Sequence, residues 1–242
     1  FTMALSFQHN RSERKHRRNA VRVLKIIEER QDESALTPLE HLNGRLPTLL
    51  SGDIVVIRHK KGSLARKILR VITSSYWDHT AMVMYRKNQA RGYSANVILE
   101  SLKGGWTKPY YFGAELHRLD KYLNQPERFD IGIKRFTWLD KTLRQRVRAF
   151  ALAYVDTPYY PYWSWKFVFG LFSPTIRKRI VATQRYTCSA LIQKAYYEAV
   201  DLKDRQRILF RKLDYMPIQL LDITSPADIA NSTSCEWIYN QH

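Results

Sequence analysis

The chain has 242 residues, 45% of them hydrophobic, enough to enclose one sizeable core, and a formal net charge of +18. Nine glycines, nine prolines and no internal period exclude a repeat or low-complexity architecture, two cysteines exclude a disulfide framework, and no stretch reaches the length of apolar chain that spans a membrane as a helix. The positive field attracts anions such as an acidic membrane leaflet or a charged substrate, and with no RNA- or DNA-reading motif in the chain nucleic acid is disfavoured.

Residues 1–35 read as a basic N-terminal helix or arm, and residues 36–242 as one domain. In the arm, Ala20, Val23, Leu24 and Ile27 recur at helical spacing within 12–31, and the run "RSERKHRR" at 11–18 is either a solvated helix face or a membrane-docking surface. The N-terminus lacks the charged-then-apolar layout of a signal peptide. Met3 reads as the native start after Phe1 and Thr2, so the expectation is a cytoplasmic protein with scope for membrane association.

Residues 36–53 carry Pro38, Gly44, Pro47 and Gly52 and read as a linker into the main domain. "DIVVIRH" (53–59) is a β-branched strand, and 63–71 is helical. "HTAMVMY" (79–85) is a second strand, apolar on both faces and so central in a sheet. Strands at 96–101 and 129–136 follow. A helix over 140–156 is capped by Asp140, with Leu143, Val147, Phe150, Ala151 and Tyr154 as its apolar stripe. The aromatic, proline-broken segment 157–174 leads to a helix around Cys188, whose inward face is Ala190, Leu191, Ala195 and Tyr196. The tail 223–232 holds turn residues and helix caps with little periodicity. Strands gathered early and flanked by helices predict an α+β fold, an antiparallel sheet packed against helices.

Cys188 sits in "YTCSALIQKA" and could be a small core residue, half of a bridge to Cys235, a metal ligand or a nucleophile. Thr187 or Thr183 can cap the helix, placing Cys188 in its first turn. There the macrodipole favours the thiolate, and unpaired N–H groups can hold an oxyanion. Of seven histidines, His79 alone opens a buried strand after a polar stretch; His59, beside Lys60 and Lys61, reads as exposed. Glu100 ends the next strand on the face it shares with Ile98, within reach of His79 if the two strands are neighbours. Asp78 is the rival acid, weakened because successive strand residues point to opposite faces. No short-spaced ligand pair favours a metal, and no cofactor is expected.

The ordered set "SGDIVVIR", "DHTAMVMY", "VILES", "DTPYY", "YTCSALIQKAYYEA" and "ITSPADIANS" resembles the circularly permuted papain-like cysteine hydrolases. These are the YiiX/YebB-like relatives of the NlpC-type peptidoglycan amidases, a branch that includes lecithin:retinol acyltransferase. In this branch the histidine precedes the cysteine. The resemblance implies a permuted papain-like fold over 36–242, Cys188 as nucleophile, His79 as base and Glu100 as third residue. It gives the pair Gly52-Asp53 a structural role and places Tyr186 beside the oxyanion. Ser189, Tyr159 and Trp163 complete the expected oxyanion and substrate contacts. The implied activity is a thiol-dependent amidase or esterase acting on an acylated amino acid, a lipid-like molecule or a peptide amide. Acyl transfer through the same thioester is the alternative, and a non-catalytic protein docking a membrane or partner through its basic arm is the rival from another class.

Overall fold

The computed structural model describes residues 46–61, 67, 70–71, 73–87, 95–102, 113–157, 187–211, 221 and 224–242. The expected helix at 12–31, most of the linker and of the 63–71 helix, the aromatic segment, and Tyr159, Trp163 and Tyr186 lie outside the described residues. Six strands form one sheet: β1 Ile54–His59, β2 His79–Tyr85, β3 Val97–Leu102, β4 Gly113–Arg118, β5 Phe129–Arg135 and β6 Glu236–Asn240. Their order is β4-β3-β2-β1-β5-β6, and every neighbouring pair is antiparallel.

The period-2 alternation of the strands gives the sheet two apolar faces. Ile54, Val56, Met82, Met84, Val97 and Leu99 share one core with Val147 and Ala151 of the Lys141–Ala153 helix and with Leu191, Ile192, Ala195 and Tyr196 of the Cys188–Ala199 helix. Val55, Ile57, Ala81, Val83, Ile98, Ile131 and Ile133 form a second core with Leu119, Tyr122 and Leu123. Burying each such side chain stabilises by about 1.5–3 kcal/mol. The α+β expectation therefore holds, and β2 is central as its two apolar faces require.

Two strands escaped the sequence reading. β4 reads "GAELHR", too mixed for a clear alternation, and places His117 on an edge strand. β6 is the other edge; its Ile238 and Tyr239 pack against the second core, and the half-exposed Trp237 lies over β5. Gly132 makes room for it: a Cβ there would stand 2.5 Å from the Trp237 ring.

The Lys141–Ala153 helix begins as expected, with the Asp140 carboxylate accepting from the Leu143 amide at 2.7 Å. Its stripe differs in one respect. Phe150 is exposed, whereas Arg144 is buried and donates to the Phe136 and Leu139 carbonyls. Arg144 also approaches Asp53 at 3.6 Å. An arginine enters the core because a buried carboxylate and several carbonyls await it there.

Gly52 has φ of +87°, a left-handed conformation natural to glycine, and its carbonyl accepts from the Tyr196 hydroxyl of the Cys188 helix. This bond and the Asp53 cluster tie the entry of β1 to the helix layer. The tail forms a short helix, Pro226–Asn231, with a capping box between Ser225 and Asp228. Its open carbonyls meet Lys134, fully buried on β5, whose Nζ donates to Ile229, Ala230 and Ser232 at 3.0, 2.8 and 2.6 Å. Lys134→Met leaves those acceptors without their donor, and a loss of about 2–3 kcal/mol in urea unfolding is expected. An unchanged midpoint would remove Lys134 from the anchoring of the tail.

Candidate active site

Strand register brings the candidate residues together. His79 opens β2 opposite Ile57 of β1. Glu100 of β3 pairs directly with Ala81, two residues along β2 from His79, so the histidine and the glutamate are diagonal neighbours on one face. His79 Nε2 lies 2.7 Å from Glu100 Oε2. The Cys188–Ala199 helix packs on β2 and β3. Thr187 is its N-cap, the hydroxyl accepting from the Ala190 amide at 3.2 Å, which makes Cys188 the first helical residue. The thiol and the His79 ring are neighbours whose charges act on each other. Since Nε2 is engaged by Glu100, Nδ1 is the nitrogen left for the sulfur.

The three groups are buried, with Cys188, His79 and Glu100 exposed by 2%, 6% and 1%. Burial pushes the Cys188 thiol up, but the adjacent His79 charge, with a smaller contribution from Thr80, outweighs that and brings it below the ordinary thiol range. Burial likewise pushes His79 down, yet the sulfur anion and the Glu100 carboxylate raise it above the ordinary imidazole range. Glu100 is raised by burial but held far below the usual carboxylate range by its bond to His79 and by the charges of Lys121, His79 and His117. The arrangement favours a thiolate beside an imidazolium that is held by an ionised carboxylate.

The rival acid is accounted for elsewhere. Asp78 Oδ1 lies 2.6 Å from His59 Nδ1, and its Oδ2 accepts from Arg70 at 2.9 Å. His59 is therefore not the exposed residue expected from its neighbours. Its side chain is 12% exposed, and its ring lies 6.2 Å from that of His79. Lys60 turns away to Asp130 at 2.9 Å. Asp78 precedes β2, which begins at His79, and its carboxylate is held by His59 and Arg70 while His79 turns to Glu100.

Ser189 follows Cys188, but its hydroxyl donates to the Thr224 carbonyl at 2.9 Å and is fully buried, which ties the helix start to the tail. Both cysteines are free thiols, so the alternative of a Cys188–Cys235 bridge is not realised. Burial pushes Cys235 up to about 11 despite the nearby Lys134. Among the described residues no group of three or more histidine, cysteine or acidic side chains is arranged to hold a metal ion. Nor is any described helix long and apolar enough to cross a membrane.

Three residues near the sulfur and the carboxylate escaped the sequence reading. Thr80 is simply the residue after His79. Lys121 and Tyr122 contact Glu100 from a helix of four residues, Asp120–Leu123, too short to leave a periodic signal.

Residues 48–239 match the family described as permuted papain-like amidase enzyme, YaeF/YiiX, C92 family. Among solved structures, the crystal structure of the protein titled metalloprotein yiiX from Escherichia coli O157:H7 aligns with a TM-score of 0.51 at 15% identity, covering 81% of this chain and 99% of that one. At this identity the likeness is one of fold, in keeping with the permuted papain-like architecture of the family. No curated protein matches the chain.

Proposed function

Because the chain belongs to the YaeF/YiiX (C92) family of permuted papain-like amidases, a family of thiol-dependent hydrolases, we propose that it cleaves an amide bond with Cys188 as nucleophile, His79 as acid and base, and Glu100 as the residue that orients His79. The observation that carries this reading is the buried His79–Glu100 bond at 2.7 Å, beside a buried cysteine at a capped helix start whose ionisation is linked to that of His79.

In the proposed reaction the thiolate attacks the amide carbon, and the carbonyl oxygen gains the negative charge. The start of the Cys188–Ala199 helix, where the Cys188 amide is the first of the helix and the positive end of its dipole lies, favours that oxyanion. The imidazolium of His79 gives its proton to the departing amine as the carbon–nitrogen bond breaks, leaving a thioester. Water then loses a proton to His79 and attacks the thioester, releasing the acid and restoring the thiolate–imidazolium pair.

For the substrate we favour an acylated amino acid or lipid-like amide, with a peptide amide next, on the strength of the amidase family and the +18 charge, which draws acidic molecules. Purified protein is to be assayed against N-acyl amino acids, acyl esters and peptidoglycan peptides. Release of a free acid from an amide supports hydrolysis. Exclusive passage of the acyl group to an added amine or alcohol points to acyl transfer instead.

The thiols supply a test that needs no substrate. Alkylation requires a thiolate, whose ordinary midpoint is at pH ~8.5. The Cys188 value is lowered by His79, so its rate with iodoacetamide is already near its plateau at a pH where an ordinary cysteine is mostly protonated. Cys235, pushed up to about 11, stays inert over the same range. His79→Ala moves the Cys188 profile to higher pH, because the charge that lowers it has gone. Equal, slow alkylation of both cysteines below pH 8 would sink the proposed pair.

A further inference from the structure

We infer that Lys121 and Tyr122, adjacent residues of the Asp120–Leu123 helix, are a positioning pair that grips the Glu100 carboxylate and sets the pH range in which Cys188 and His79 work together. The inference rests on the roles proposed for Cys188, His79 and Glu100.

Both oxygens of Glu100 are claimed. Oε2 accepts from His79 Nε2 at 2.7 Å and from the Tyr122 hydroxyl at 2.6 Å, while Oε1 accepts from Lys121 Nζ. The carboxylate side chain has no exposed surface. A carboxylate in that position without donors would take up a proton and cease to hold an imidazolium. With three donors around it, it stays an anion and has little freedom to rotate. Tyr122 is itself immobilised, 4% exposed and packed edge-on against Phe129 with ring centroids 4.9 Å apart. Lys121 differs: its side chain is 32% exposed and its ammonium lies over the Tyr122 ring at 4.8 Å. Tyr122 thus supplies a fixed direction and Lys121 a charge at the boundary between solvent and site.

Other charges face the same groups. His59 stands 6.2 Å from the His79 ring, bonded to Asp78, which Arg70 also holds. Glu115 of β4 is directly opposite Glu100 in register, and His117 lies 3.2 Å from Glu115. Cys188 completes the set. Of these, Lys121 is the cation bonded to the Glu100 carboxylate from outside the proposed triad, and its removal subtracts one positive charge without touching sulfur or imidazole.

The sign follows directly. Loss of a neighbouring positive charge makes every nearby group bind protons more tightly. The thiol then ionises at higher pH, and the imidazolium also gives up its proton at higher pH. Both limbs of the bell-shaped profile move the same way. In the full-length protein, Lys121→Met is expected to shift both by about half to one pH unit, the partial exposure of Lys121 limiting the effect. Lys121→Arg keeps the charge and restores the parent profile. Tyr122→Phe keeps the charge and removes the fixed donor, so the expected outcome is a kcat lowered about tenfold with KM unchanged.

The experiment measures iodoacetamide rates at Cys188 and hydrolysis rates from pH 5 to 10 for the parent, Lys121→Met, Lys121→Gln, Lys121→Arg and Tyr122→Phe. Lys121→Gln serves if the methionine variant loses its fold. A common upward shift in the neutral variants, reversed by arginine, supports the pair. Superimposable profiles for glutamine, arginine and parent, with Tyr122→Phe at full kcat, overturn it while leaving the triad in place. If instead His79→Ala leaves the Cys188 profile of the parent unmoved, the underlying triad fails first, and the two failures are told apart.

Discussion

Cys188→Ala is expected to yield a folded protein whose hydrolysis falls by about four orders of magnitude or more in kcat/KM. The asymmetry between activity and fold is the informative part. Cys188 is buried, but alanine fits the same position as the first residue of a helix, and only one sulfur atom is removed. The Thr187 cap, the Tyr196 bond to Gly52 and the apolar face of the helix remain. A thiolate paired with an imidazolium inside the protein is not a source of large stability, because desolvation offsets much of the attraction. The thermal midpoint should therefore move by only a few degrees in either direction. His79→Ala should match the activity loss to within about tenfold, since members of one catalytic unit are strongly non-additive. Glu100→Gln should lose less, because orientation is weakened while the reacting pair persists. Activity above one-tenth of the parent in Cys188→Ala, with the substrate bound normally, would place the chemistry elsewhere.

The second large effect is on stability, at Asp53. Its side chain is fully buried and accepts from Arg135 twice, at 2.8 and 2.6 Å, and from the Leu50 amide at 2.7 Å. Arg144 completes the cluster from the helix layer. Asp53→Ala leaves two arginines, one of them deep in the protein, facing each other without a counter-charge. Breaking a buried pair from one side costs about 3–5 kcal/mol, far more than the pair contributes relative to apolar residues of the same shape. A drop of that size in the free energy of unfolding is expected in urea melts. The double variant Asp53→Ala with Arg135→Met should recover part of it, since one stranded charge is then removed. A loss below about 1 kcal/mol for the single variant would mean that water reaches the cluster and screens it. The lesson for function is indirect: Asp53 anchors the start of β1 and Arg144 anchors the helix beside it, so the scaffold carrying His79 and Cys188 depends on a charge cluster remote from them.

The sequence was most legible where one period ran through a whole element. β1 and β2 are dense in β-branched and apolar residues, and their extents agree with the reading to within a residue. The Lys141–Ala153 helix announced itself through Asp140 and a recurring stripe, although Phe150 and Arg144 exchanged roles. β4 and β6 were illegible because edge strands are half solvated and owe their place to a neighbour, here Trp237 seated over Gly132. His59 was misread for a related reason. Its neighbours in sequence are lysines, but its neighbour in space is Asp78, nineteen residues away.

The candidate site divides along the same line. Residue types and their placement within single elements, a cysteine at a capped helix start, a histidine opening an apolar strand and a glutamate on an apolar face, were enough to name Cys188, His79 and Glu100 and to recognise the ordered pattern of a permuted papain-like hydrolase. Periodicity and capping are local, and a chain carries local information in its own order. Which carboxylate meets His79, how Thr80 faces the sulfur and why Glu100 stays ionised were decided by strand register and by the docking of a one-turn helix. Those contacts join residues about twenty to more than a hundred positions apart. Their energies arise from burial and mutual charge, quantities that exist only once the sheet and its helices have closed around them.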